Sequence, residues 1–343
     1  MSVGSDGLHL MADSLARMLD TGSRRERARA AADLPAASRG LGNELLEAGW
    51  LRLLLGEDSG GWGADPGEFA MLLENLGGML APEPLGPAIV AARLLSDCDT
   101  SATSALLSDF AEGRATLLVA QRADFPLADA PSHVLADAQW ASQVLCAQWQ
   151  DDHFHLLAVP ITQQARGRWP MRRALDGGAL WFFNPAEAGG TRIAEGPAAE
   201  RAFATAQNLL RLAAAASLVG IGQRVLDLTT EYLRLRRQFG VPIGSFQALQ
   251  HRAASMHVTI HGTRSLVREA AQAIGTGKET RACAMAKAKA STAVRAVLKE
   301  GVQMHGAVGF SDELELALHF RRGVVLASLF GSPAECRRDL GQR

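Results

Sequence analysis

Apolar positions recur at three- and four-residue spacing in the first and last thirds of the chain, and fall into short runs between them. From residue 8 to about 114 the spacing is helical, as at Leu45, Leu46, Gly49 and Leu53, with Gly, Asp and Pro interrupting it at 57–66 and 81–87. From 116 to about 193 the apolar runs are short, at 116–120, 143–149, 154–159 and 179–183, and read as strands. Helical spacing then returns. Phe203, Leu210, Ala213, Ser217, Ile221, Val225, Leu228 and Tyr232 lie on one stripe, which predicts a helix of roughly nine turns at ~3.6 residues each. Gly240-Val241-Pro242 ends it. Further helices are predicted over 246–274, 280–305 and 312–330, and four long helices with short connections imply an antiparallel bundle. The fold class is mainly α with a small β domain. It divides into an N-terminal helical domain over 1–114, a middle β domain over 115–196 and a C-terminal four-helix bundle over 197–343.

Composition narrows this picture. The chain has 343 residues, enough for two or three domains, and its 48% hydrophobic and 21% charged content favours helices. A net charge of -1 argues against a broad basic surface for nucleic acid or anionic lipid. Cys98, Cys146, Cys283 and Cys336 are scattered without ligand spacing, which implies reduced thiols in a cytoplasmic protein. Residues 1–10 have neither a basic nor an apolar leader pattern, so no secretory signal is expected. The most apolar stretch, 209–222, is interrupted by Arg211 and is too short to span a bilayer.

Familiar catalytic motifs are missing from the sequence. No Gly-x-Gly-x-x-Gly follows a strand, and there is no phosphate loop, His-Glu-x-x-His, Gly-x-Ser-x-Gly or metal cluster. Gly60-Gly61-Trp62-Gly63 falls between helices and reads as a turn. Two segments in the last third carry chemistry instead. Arg236-Arg237-Gln238-Phe239-Gly240 closes the long helix, and Phe246-Gln247 opens the next. Arg236 offers forked donors suited to phosphate oxygens, or it complements the helix dipole. Gln303-Met304-His305-Gly306-Ala307-Val308-Gly309 either admits a ligand close to the backbone or caps a helix with a glycine turn. His305 reads as a packed or capping residue.

Together these segments resemble the acyl-CoA dehydrogenase superfamily. The first third agrees through Ala48-Gly49-Trp50-Leu51, then 57–63, then Glu74-Asn75-Leu76-Gly77, then Ala81-Pro82-Glu83-Pro84. The resemblance implies an N-terminal helical domain, a β domain and a four-helix bundle, with FAD at a subunit interface. It implies that Arg236, Gln238 and Phe239 touch the FAD of a neighbouring subunit, with Arg236 at the pyrophosphate. Gln247 is then expected on the adenosine side and Gln303, Gly306 and Ala307 at the adenine end. Ala307 replaces the second glycine of the family's usual pair.

The family dehydrogenates acyl-CoA thioesters between the α and β carbons, with a carboxylate as base. Of the two usual positions for that carboxylate, one here holds Leu210, with Arg211 beside it, and the other holds Phe330 before Gly331-Ser332. The catalytic residue is therefore unassigned. The β-domain flavin loop of the family is also missing, with Val119-Ala120-Gln121-Arg122-Ala123 in its place and a hairpin or more lost before Ala136. Three readings follow. The chain completes the FAD site of a heteromeric acyl-CoA dehydrogenase, of a kind used on sterols or other bulky acyl groups. Or it is a self-sufficient enzyme with a displaced base, for which Asp227, Glu231, Asp312, Glu313 and Glu315 are nearby but read as surface or paired acids, or a monooxygenase of the same fold. Or it is a non-catalytic scaffold. The expected partners are an acyl-CoA substrate, a second copy or another dehydrogenase-like subunit in a heterotetramer, and an electron-transferring flavoprotein as acceptor.

Overall fold

The structure is a computed structural model that describes residues 49–81, 84–122, 132–311 and 314–341. Among them, α1 spans Pro66–Met79, α2 Leu85–Cys98 and α3 Ser101–Ala111. Then come β1 Leu117–Val119, β2 Gln121–Arg122, β3 His133–Ala136, β4 Gln143–Gln150, β5 His153–Pro160 and α4 Gln163–Arg168. The β region closes with β6 Met171–Arg173, β7 Ala179–Phe183 and β8 Thr191–Glu195. The last third holds α5 Gly196–Leu235, β9 Arg237–Gln238, β10 Val241–Pro242, α6 Gln247–Ala273, α7 Glu279–His305, α8 Glu315–Leu326 and α9 Pro333–Gly341. The architecture is mainly helical with a small β portion. The helical pattern before residue 49 lies outside the described residues.

These elements sort into two compact units, one of 49–65, 84–122 and 132–210, the other of 66–81, 211–311 and 314–341. In the first, two four-stranded sheets run in the orders β1-β4-β5-β8 and β2-β3-β7-β6. Only the β1–β4 pair is parallel. Leu118, Val144, Cys146, Leu157 and Val159 of one sheet share a buried cluster with Leu135 and Phe183 of the other, which makes a sandwich core. The four strand runs read from the sequence correspond to β1, β4, β5 and β7. Strands β2, β3, β6 and β8 are additional, and they are short or polar; β6 is exposed throughout. Helix α3 starts on a capping box, in which the Thr100 side chain accepts from the Thr103 backbone and the Thr103 side chain accepts from that of Thr100. The 60–63 segment is a turn, with Gly63 N–H donating to Leu55 C=O at 2.8 Å.

The second unit holds α5 from Arg211 onward. Helix α5 is the one described helix long and apolar enough to cross a bilayer, and 78% of its most apolar window is buried inside the protein. Its crossing with α1 is backbone on backbone. A Cβ at Gly220 would sit 1.8 Å from the Glu74 carbonyl oxygen, and one at Gly77 would sit 2.2 Å from that of Ser217. On another side a Cβ at Gly301 of α7 would meet Val225 at 2.7 Å. Polar ties lock the same helix. Arg224 donates to both carboxylate oxygens of Glu315 at 2.9 Å, and Ser217 Oγ donates to Leu73 C=O at 3.1 Å. Buried His319 of α8 reaches Gly78 C=O at 3.1 Å.

Three boundaries differ from the sequence reading. Helix α5 stops at Leu235, so Arg236 and Gln238 lie beyond it rather than on its last turn. The last predicted helix, 312–330, is shorter: α8 ends at Leu326. A further helix, α9, follows from Pro333, because Ser332 and Glu335 form its N-terminal box: Ser332 N–H donates to Glu335 at 2.6 Å and Glu335 N–H to Ser332 Oγ at 3.2 Å.

The α1–α5 crossing leaves no room for a methyl group. Gly220→Ala should therefore destabilise the chain by about 3 kcal/mol, at the upper end of overpacking costs. Urea unfolding checks this; a change under about 0.5 kcal/mol, the scale of neutral surface substitutions, would refute the close approach.

Candidate functional site

Helix α5 ends in a hairpin. Its last helical bond runs from Arg236 N–H to Tyr232 C=O at 2.8 Å, and the Arg236 carbonyl then accepts from Ile243 N–H at 2.8 Å as the chain returns. Between these points β9 pairs antiparallel with β10, with Gln238 opposite Val241. Phe239 and Gly240 are left as the two turn residues, at φ 54° and 82°. Two successive left-handed residues are what a tight right-twisted hairpin requires, and a phenylalanine takes that conformation at a cost.

The Phe239 ring is 90% exposed. Its edge meets Phe246, the N-cap residue of α6, with ring centroids 6.2 Å apart. Arg236 is exposed and makes no ion pair among the described residues. Gln238 is exposed too, its amide donating to the Arg237 carbonyl at 2.8 Å. Gln247 lies exposed in the first turn of α6. The return of the chain depends on Gly244, since a Cβ there would lie 2.9 Å from the Leu233 carbonyl oxygen.

The C-terminus of α7 makes the other half. Gly306 has φ 68° and ψ -148°, a conformation that side chains disfavour, and a Cβ there would meet nothing within 4 Å. Gln303, Gly306 and Ala307 are exposed beside it. His305 is turned inward. Its Nδ1 lies 2.8 Å from the Gly301 carbonyl and burial lowers its pKa, opposed by that bond. Its ring stacks on Tyr232 with centroids 4.5 Å apart. This stack clasps the end of α5 to the end of α7. It brings Arg236, Gln238, Phe239 and Gln247 to the same end of the unit as Gln303, Gly306 and Ala307. Sequence reasoning placed Tyr232 on an apolar stripe and His305 in a packed position, without pairing them.

The two positions expected for a base hold no acid. Leu210 is 1% exposed. Phe330 is half-buried at φ 55°. The acids considered as substitutes are engaged or surface-lying. Glu315 is bound by Arg224, Asp227 accepts from the Gln223 amide at 3.0 Å, and Glu231 is exposed. Asp312 and Glu313 lie outside the described residues. Near Gly331, Arg211 pairs with Asp339 of α9.

The family model for the acyl-CoA dehydrogenase C-terminal domain matches residues 179–343. The acyl-CoA dehydrogenase IpdE2 of Mycolicibacterium smegmatis is 32% identical over 298 residues, covering 86% of this chain and 84% of that protein. The chain belongs to the acyl-CoA dehydrogenase family. Among solved structures, a chain of a variant of the Tcur3481–Tcur3483 steroid ACAD superposes with a TM-score of 0.82 at 26% identity, covering 98% of this chain and 97% of that one. A chain of the ChsE4–ChsE5 complex of Mycobacterium tuberculosis gives 0.81 at 22% identity over 98% and 96%, and shares the fold. The family match includes the hairpin, the Gly306 turn and Phe330 alike.

A left-handed Phe239 in a chain purified alone is strain with little packing in return. Phe239→Gly should raise the stability of the isolated chain by about 0.5–1 kcal/mol. Urea unfolding reads this directly, and a loss of stability would mean that the contact with Phe246 outweighs the strain.

Proposed function

We propose that this chain is a flavin-binding subunit of a heteromeric acyl-CoA dehydrogenase, completing an FAD site whose catalytic carboxylate belongs to a partner subunit. The observation that carries the reading is a contrast within one chain. The hairpin presents an Arg236 with no ion pair among the described residues and an almost fully exposed Phe239, while Leu210 and Phe330 stand where the family keeps its acid. An exposed aromatic ring beside a cation and amide donors suits a ligand that is both planar and anionic.

In this reading Arg236 neutralises the FAD pyrophosphate, and Phe239 covers an apolar part of the cofactor. Gln238 and Gln247 donate to its polar edges, and Gln303, Gly306 and Ala307 border the adenine end. The open space over Gly306 admits a ligand to the backbone. Bound FAD supplies the hydride-accepting chemistry of the family reaction, α,β-dehydrogenation of an acyl-CoA thioester. One structural relative is named as the ChsE4–ChsE5 complex and the other by the pair Tcur3481–Tcur3483, which supports a second dehydrogenase-like subunit as partner. The steroid named for one of them supports a bulky polycyclic acyl group as substrate class.

The test is to purify the chain alone and with any dehydrogenase-like protein encoded beside its gene, and to record bound flavin and its bleaching by acyl-CoA. Flavin held only by the co-purified complex is expected. Bleaching by the chain alone would overturn the division of labour, and flavin in neither preparation would leave a non-catalytic scaffold as the better reading. Within the complex, Arg236→Ala should lower flavin retention at least tenfold, as expected when a charge-assisted phosphate contact of about 1.5–3 kcal/mol is removed. Unchanged flavin content would remove Arg236 from the pyrophosphate.

A further inference from the structure

Lys287 of α7 is the one fully buried cation among the described residues, at 0% exposure. A lysine out of water needs acceptors for its three N–H bonds, and it has three. Its Nζ lies 2.8 Å from Ser291 Oγ, 2.9 Å from the Gly331 carbonyl and 3.2 Å from the Ala327 carbonyl. Two of these acceptors bracket the turn that joins α8 to α9. The turn is strained: Phe330 has φ 55° and Gly331 has φ 102°. Such conformations persist when their surroundings over-determine them.

The surroundings of this turn do so from several sides. A Cβ at Gly331 would lie 2.9 Å from Cys336 Sγ and 3.5 Å from Arg211 Nε. The Cys336 thiol also points at the Gly331 carbonyl, at 3.7 Å. The box at Ser332 and Glu335 fixes the far end, and Arg211 holds α9 through Asp339.

We propose that Lys287 is the positioning residue of the 327–331 turn, fixing the backbone on which Phe330 is displayed. Phe330 stands at a base position of the family, so the consequence for the reaction rests on the function proposed above: this chain keeps the carrier of a base and displays an aromatic ring from it. The clamp is built to survive a change of charge. Burial lowers the Lys287 pKa to about 7, with Arg211 and Arg295 acting in the same direction and Cys336 and Glu335 opposing them. The neutral amine still donates twice to carbonyls and can accept from the Ser291 hydroxyl.

The turn has a built-in reporter. Cys336 is fully buried against Gly331, so an opening of the turn exposes its thiol. In the full chain, Lys287→Met should speed alkylation of Cys336 by iodoacetamide at least tenfold, read by peptide mass spectrometry, and speed amide exchange across 328–332. Cys146, in the β sandwich, should label at its original rate. Lys287→Gln, which keeps two donors on a shorter side chain, should label at a rate between those of the parent chain and the methionine variant, and covers the case in which the methionine variant fails to fold. Slow labelling and slow exchange in both variants would overturn the proposal. Neither readout needs flavin, so a failed flavin assignment would leave this result standing, and the reverse.

Discussion

The contact between α1 and α5 is made by main chain, not side chains, and much of the second unit takes its geometry from it. With the Glu74 carbonyl pressed against Gly220, α5 can neither rotate nor slide without a clash. Dense packing transmits that constraint. Val225 against Gly301 sets the height of α7 relative to α5, and the Arg224–Glu315 fork sets α8. A helix end placed in this way can present a strained hairpin reproducibly. The Tyr232–His305 stack then ties that end to the Gly306 turn, so two segments distant in sequence share one support.

Long helices were legible because burial writes a period into them. The stripe from Phe203 to Tyr232 is an example, and α5 follows it. The hairpin was not legible as a hairpin. Two-residue strands leave no alternation to read, and Arg237-Gln238 carries no apolar residue. The turn residues Phe239-Gly240 lack the asparagine or aspartate that usually marks such a turn. Helix α9 was not legible although Ser332-Pro333-Ala334-Glu335 carries a capping box, because the short helix that follows is mostly polar and buries Cys336 without an apolar stripe. Lys287 was invisible for a different reason. It sits in a run of alternating Ala and Lys, and Lys289, two residues on, is exposed. Only helical phase separates the two, and a lysine on the buried phase contradicts the ordinary pattern until its three acceptors are seen.

The candidate site was legible as chemistry and not as geometry. Residue type suited Arg236 to phosphate oxygens, and the family resemblance implied FAD contacts for Arg236, Gln238 and Phe239. Nothing in the sequence showed that the ring would stand 90% exposed, or that Tyr232 and His305 would join the two segments. Pairings between distant helices depend on which faces meet, and a single sequence does not carry that information.

The described acids beside the Phe330 turn, and Glu315 of α8, are committed to structural contacts. Asp339 is bound by Arg211, Glu335 caps α9, and Glu315 is held in a two-point fork. A general base must be free to face the substrate proton, and each of these carboxylates is already turned to a structural donor. Releasing one for catalysis would break a contact that fixes α8 or α9. The nearby cations add to this. With Arg211 beside Gly331 and Lys287 beneath it, a carboxylate at position 330 would be drawn toward ion pairing, whereas Phe330 leaves both cations to their structural partners. The turn is thus internally complete without an acid, and the carboxylates described around it already have structural work.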